Sequence, residues 1–254
     1  MKVLFCTDGS QISYSALFNS IYWLKEPVID VLSVADWSFL PDSVSVDGVD
    51  FAVKCANSAE SILNYSEQLI KDYNCEFGRK IKMCGAPIDA ILDIEEDGEY
   101  DVIVLGSNGK KGIQKWLGSV SQELASSANT STYISKGTKS YDNILFTLDS
   151  SDLSRSVVLN AIEQMKLDDK KIFLLTVYDM PDYLFLEGNI DSNWIIEVEN
   201  KQKLQSLGAL SDYEDIFNAN CLEIYSKAAK KGDPAKVITD YALSNDIGLV
   251  VTGI

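Results

Sequence analysis

The chain has 254 residues, nearly half of them apolar, carries a formal charge of −16 and contains no histidine. That length and apolar content suffice for two domains with real cores, the negative field disfavours nucleic acid as a partner, and the missing imidazole excludes a Ser-His-Asp triad, a Cys-His pair and histidine-ligated metal. Apolar runs are too short to cross a bilayer, and Asp8 comes too early for a signal peptide, so a soluble, cytoplasmic protein with no membrane partner is expected. Cys6, Cys55, Cys75, Cys84 and Cys221 are scattered without a CxxC pair and read as reduced thiols.

In chain order, Val3–Cys6 is a nearly continuous β-branched and apolar run, as expected of a strand covered on both faces, and it ends at Asp8-Gly9-Ser10. Ala16, Leu17, Ile21 and Leu24 then mark one helical face that Pro27 stops. Val28–Val34 is a second strand. Gly85-Ala86-Pro87 opens a helix with proline in its first turn, and Ile88, Ile91, Leu92 and Ile94 supply its apolar face. The acidic run Asp93–Glu99 lacks the spacing of a calcium loop and reads as a solvated helix end, so no metal site is expected. Val102–Leu105 is a further strand, followed by the glycine-rich segment Gly106–Gly112 and by Gly118-Ser119-Val120-Ser121 leading into a helix.

A second pass begins after the polar stretch Lys136–Ser140. Val3–Ser10 is answered by Asn143–Ser150, and Ser13 and Ser15 by Ser154 and Ser156. Leu32–Asp36 pairs with Leu175–Asp179, Gly85-Ala86-Pro87 with Gly232-Asp233-Pro234, and Val102–Gly106 with Leu249–Gly253. The spacing from Gly85 to Gly106 is 21 positions, as it is from Gly232 to Gly253. These ordered matches indicate a duplication, with domains at 1–137 and 138–254. Strand–helix alternation in each copy predicts an α/β fold with two tandem doubly wound parallel sheets. The second copy stops where the first begins its glycine loop, so counterparts of Gly109, Ser119, the next helix and the strand near Ser131–Ser135 are not expected in it.

In such sheets ligands gather at strand carboxyl ends, near the point where strand order reverses. Asp8 is a carboxylate at one such end, and its oxygens suit an amino group such as that of adenine. Gly106 and Gly109 allow backbone N–H groups to approach an anion, Ser119 and Ser121 add hydroxyls at a helix N-terminus, and Lys110 and Lys111 add charge. The segment matches neither the P-loop nor the dinucleotide GxGxxG pattern. Trp37 lies near the same place, and Tyr183–Gly188 reads as a lid or partner loop.

Asp8-Gly9-Ser10 with Ser13, Ser15 and Ala16, then Gly106-x-x-Gly109, a spacer and Gly118-Ser119, resembles the universal stress protein family, and the resemblance spans both copies. It implies a Rossmann-like fold of the adenine nucleotide alpha hydrolase type, with five parallel strands in a complete domain. It also implies a stress-response role and a site for ATP or AMP, with or without Mg2+. By matching position Asp8, with Gly9 and Ser10, would meet the base, Val34 would offer it backbone contacts, and Gly106, Gly109, Gly118, Ser119, Val120 and Ser121 would surround ribose and phosphates. The spacer between Gly109 and Gly118 is eight residues, one short of the family's G-2x-G-9x-G-(S/T). Little or no catalysis is expected because no evident general base is present, with Ser119 and Ser121 as acceptors if self-phosphorylation occurs. A homodimer is the expected assembly, and the competing reading is a nucleotide-independent dimerisation or protein-interaction module.

Overall fold

The computed structural model describes residues 1–36, 48–107, 118–137, 142–179 and 192–253, of which 48–58 and 192 by backbone alone. They fall into two compact units, Met1–Thr138 and Lys139–Ile254.

In unit 1 the chain runs β1 (Lys2–Cys6), α1 (Gln11–Trp23), β2 (Val28–Asp36), α2 (Gly48–Asp72), β3 (Glu76–Gly85), α3 (Pro87–Gly98), β4 (Val102–Gly106), α4 (Ser119–Ser127) and β5 (Ser131–Ser135). All strands are parallel, in the order β3-β2-β1-β4-β5. The chain therefore builds outward from β1 to β3 and then crosses over to β4, which puts the reversal of strand order between β1 and β4. α1 and α2 lie on one face of the sheet and α3 and α4 on the other. Cover on both sides is why the interiors of β1 and β4 are apolar: Leu4, Phe5, Ile103 and Val104 are all fully buried. The α3 face expected from sequence is the one observed, since Ile88, Ile91, Leu92 and Ile94 all pack in the cluster around Leu4, Ile103 and Leu124.

Unit 2 repeats the plan with β6 (Asn143–Thr147), α5 (Asp152–Gln164), β7 (Lys171–Tyr178), α6 (Ser192–Ala219), β8 (Ile224–Lys231), α7 (Pro234–Ser244) and β9 (Ile247–Thr252). Its described strands are again all parallel, ordered β8-β7-β6-β9. Two parallel-sheet α/β units are thus what the duplicated sequence folds into.

The outer strands β3 and β8 are the exception to the apolar rule: each carries lysines that pair with glutamates of the neighbouring long helix. Lys80 of β3 pairs with Glu67 at 2.6 Å and Lys82 with Glu60 at 3.6 Å, while Lys227 and Lys231 of β8 pair with Glu214 and Glu199. Charge along an edge discourages pairing with a further strand. Among the described residues no helix is long and apolar enough to cross a membrane.

Candidate functional site

The site is built at the carboxyl ends of β1 and β4, beside the reversal of strand order. β1 is extended one step past Cys6, where the Thr7 N–H donates to the Leu32 carbonyl at 2.9 Å. The chain then turns through Asp8 and Gly9 into α1. Gly9 sits at φ +76°, the left-handed region glycine enters at least cost. Ser10 caps α1 by accepting the Ser13 N–H at 3.2 Å, and its own N–H donates to Asp8 Oδ1 at 3.0 Å. Thr7 and Ser13 are buried beneath the turn, with their hydroxyl oxygens 2.8 Å apart, and the half-buried Asp8 lies above them. The Tyr14 phenol borders the same cluster. Burial raises its pKa, and the neighbouring Ser66 and Thr7 hydroxyls offset part of that rise.

Gly106 closes the distance to β4. A Cβ built on it would stand 2.9 Å from Ile12 Cγ2 and 3.0 Å from the Ser13 backbone nitrogen, so the end of β4 rests directly on the first turn of α1. Ser107 follows, its N–H donating to the Ser135 carbonyl at 2.8 Å and its carbonyl accepting from Gly118 N–H at 2.6 Å. Gly118 is the N-cap of α4 and has no side chain with which to cap it. Ser119 is exposed at the first helical position. The arrangement sets a carboxylate on one side of the strand reversal and a helix N-terminus on the other, the geometry expected of a ligand with a basic or amino end and an anionic end.

The sequence-derived site residues are distributed unevenly over this place. Asp8, Gly9, Ser10, Gly106, Gly118 and Ser119 line the two turns. Val34 is near the end of β2, paired with Met83, and its side chain joins the core cluster on the α3 face, leaving its backbone toward the strand end. Val120 packs against the same cluster. Ser121 is buried, and its hydroxyl donates to the Ser107 carbonyl at 2.9 Å, so it ties α4 to β4. Gly109, Lys110, Lys111, Trp37 and the stretch 183–188 lie outside the described residues. Two residues of the site were not marked as such in the sequence, Thr7 and Ser107. The signal for Thr7 was present in the repeat, which sets it opposite Leu148.

Unit 2 has a turn at the matching place, with Ser150 where unit 1 has Gly9 and with different wiring. Asp149, the counterpart of Asp8, is exposed and its Oδ1 accepts the Ser151 N–H at 3.0 Å, the Ser154 hydroxyl at 2.6 Å and the Ser151 hydroxyl. Those bonds, led by the Ser151 and Ser154 hydroxyls, hold its pKa below the usual carboxylate value. The Tyr213 phenol reaches over from α6 and donates to the Asp149 carbonyl at 2.7 Å.

Comparison with known proteins agrees with this architecture. The model of the "Universal stress protein family" matches twice, over residues 1–136 and 140–254. Universal stress protein MJ0531 of Methanocaldococcus jannaschii is 24% identical over 156 residues, which is 54% of this chain and 83% of that protein. The crystal structure of a universal stress protein from Archaeoglobus fulgidus superposes with a TM-score of 0.68 at 17% identity, covering 99% of this chain and 84% of its own. A functionally unknown protein from Pseudomonas aeruginosa, PA1789, gives a TM-score of 0.63 at 9% identity over 99% of this chain and 80% of its own. The fold, the duplicated pattern and the twofold family match lead to one conclusion: this chain belongs to the universal stress protein family, as two copies in tandem.

Proposed function

We propose that unit 1 holds an adenine nucleotide, ATP or AMP, as a stress-response sensor, and that it does so with little or no turnover. The observation that carries this reading is the seating of Gly106 on the first turn of α1, which brings the Asp8 turn and the turn into α4 to the same point of strand reversal. Asp8 is a hydrogen-bond acceptor suited to the exocyclic amino group of adenine. The N-terminus of α4, with backbone N–H groups and the exposed Ser119, suits phosphate. Mg2+ would accompany the phosphates rather than sit in a protein cage, since hard cations of this size favour water and phosphate oxygens. Family membership supports the same reading.

The discriminating feature is the base. Guanine presents a carbonyl where adenine presents its amino group, so a carboxylate at that position should favour ATP over GTP. Thermal denaturation with 1 mM-scale nucleotide tests this: ATP should raise the midpoint, GTP should raise it less, and Asp8→Ala should remove the difference. Equal shifts for both nucleotides in the wild-type protein would mean Asp8 does not read the base.

A further inference from the structure

One carbonyl receives the start of α4. Ser107, the residue after β4, is buried, and its carbonyl accepts twice: from the Gly118 N–H at 2.6 Å and from the Ser121 hydroxyl at 2.9 Å. A carbonyl oxygen has two lone pairs, so both bonds can form together. Gly118 is the N-cap of α4 and Ser121 its third helical residue. Two bonds from points three residues apart on the first turn set both the position of the helix end and its rotation about the axis. The Ser121 oxygen also stands 3.5 Å from the Gly106 carbonyl, and Ser121 and Leu124 are the buried residues of α4.

Ser107 is itself held from the other side. Its N–H donates to the Ser135 carbonyl at 2.8 Å, and Ser135 Oγ accepts the side-chain N–H of Asn19 in α1 at 2.9 Å. Gly106 rests on Ile12 and Ser13, in the first turn of the same α1. The carbonyl that receives α4 is therefore braced by β5 and by the helix that begins at the Asp8 turn. The first bond of the α4 ladder runs from the Gln122 N–H to the Gly118 carbonyl, so the N–H groups of Ser119, Val120 and Ser121 precede that ladder.

We infer that Ser121 is a positioning residue: its bond to the Ser107 carbonyl fixes the α4 N-terminus beside the end of β4, whatever the length of the segment between Gly109 and Gly118. The chain leaves at Ser107 and returns at Gly118, whose N–H closes on the Ser107 carbonyl. A residue added or removed between them is taken up in that segment and leaves the helix end in place. The eight-residue spacer, one short of the pattern this chain resembles, therefore does not turn the N–H groups of α4 away. The bearing on phosphate rests on the proposed nucleotide site; the pinning of α4 does not.

The test uses the full chain with Ser121→Ala, Ser121→Thr and, separately, one glycine inserted after Gln114. It reads hydrogen exchange of the Gly118 amide in the ligand-free protein by NMR, and the affinities of ATP and adenosine by calorimetry. Ser121→Ala should speed Gly118 exchange about tenfold and weaken ATP about tenfold, the scale of one hydrogen bond, while adenosine, which has no phosphates, keeps its affinity. Ser121→Thr retains the hydroxyl and should match wild type, as should the insertion. Unchanged Gly118 exchange in folded Ser121→Ala would overturn the inference, as would a threonine variant no better than alanine. ATP and adenosine weakened alike would overturn it too, because the serine would then serve the fold in general. So would an insertion that weakens ATP as much as Ser121→Ala, since spacer length would then place α4. Should wild-type protein bind no ATP, the nucleotide reading fails, and Gly118 exchange in the three variants still decides the pin.

Discussion

Gly9 is the residue on which the turn depends most directly. Its φ of +76° suits no β-carbon, and a Cβ there would approach Ile62 Cγ1 of α2 to 2.9 Å. The isoleucine can move, but the backbone strain remains, so Gly9→Ala should cost about 1–2 kcal/mol in urea denaturation. Asp149 gives a pH-dependent companion. Its pKa is lowered in the folded state from the usual 3.8, so the stability it contributes is complete above that value and is lost as pH falls through the lower, folded value. Ser154→Ala removes one of the bonds responsible. The stability gap between wild type and Ser154→Ala should be present at neutral pH and narrow below about pH 4, as measured by urea unfolding across the range. At this scale the sequence revealed the carboxylate and its following serines, because Asp-Gly-Ser after a buried run leaves few other conformations. It did not reveal that Ser121 faces inward toward Ser107 or that the Thr7 and Ser13 hydroxyls lie 2.8 Å apart, since both depend on which side of a tight turn a hydroxyl points.

The elements show the same fold problem solved by two chemistries. Both sheets carry an irregularity where the second strand meets the third, between Ile29 and Val31 in unit 1 and between Ile172 and Phe173 in unit 2. In unit 1 the buried Asp30 fastens it, accepting the Arg79 N–H at 2.9 Å, Arg79 Nε at 2.8 Å and the Tyr100 hydroxyl at 2.8 Å. Gly78 leaves the room, since a Cβ there would lie 2.1 Å from Asp30 Oδ1. Burial, the larger influence, raises the Tyr100 phenol to about 12. In unit 2 an aromatic group replaces the carboxylate: Phe173 packs on Tyr225 at 5.0 Å and edge-on to Tyr241 at 6.4 Å between ring centres. Removing one partner of a buried pair is more damaging than never having had it. Asp30→Ala should therefore destabilise unit 1 by about 3 kcal/mol in urea denaturation, whereas Arg79→Ala, whose side chain is 56% exposed, should cost about 1 kcal/mol. Such details also explain what could be read in advance. The inner strands β1, β2 and β4 were visible as apolar runs because both their faces are covered. Edge strands β3 and β8 mix lysines with small and apolar residues, so their sequences resemble exposed loops as much as strands.

Taken whole, the chain is a duplicated fold whose copies keep the same strand order, β3-β2-β1-β4 and β8-β7-β6-β9, while differing in the turn after their first strand. The repeat anchors Asp8 and Asp149, Gly85 and Gly232, Gly106 and Gly253 all sit at equivalent strand ends or turns, which is why the duplication could be seen in the sequence alone. The overall charge of −16 works against any anionic ligand, leaving its capture to local backbone dipoles and hydroxyls. The separation of roles between copies is the central claim, and calorimetric titration of ATP with magnesium into the full chain tests it most directly. The expected result is saturation near one nucleotide per chain, weakened at least about tenfold by Asp8→Ala and unaffected by Asp149→Ala. Two equivalent sites per chain, or affinity that survives in folded Asp8→Ala and falls in Asp149→Ala, would contradict it.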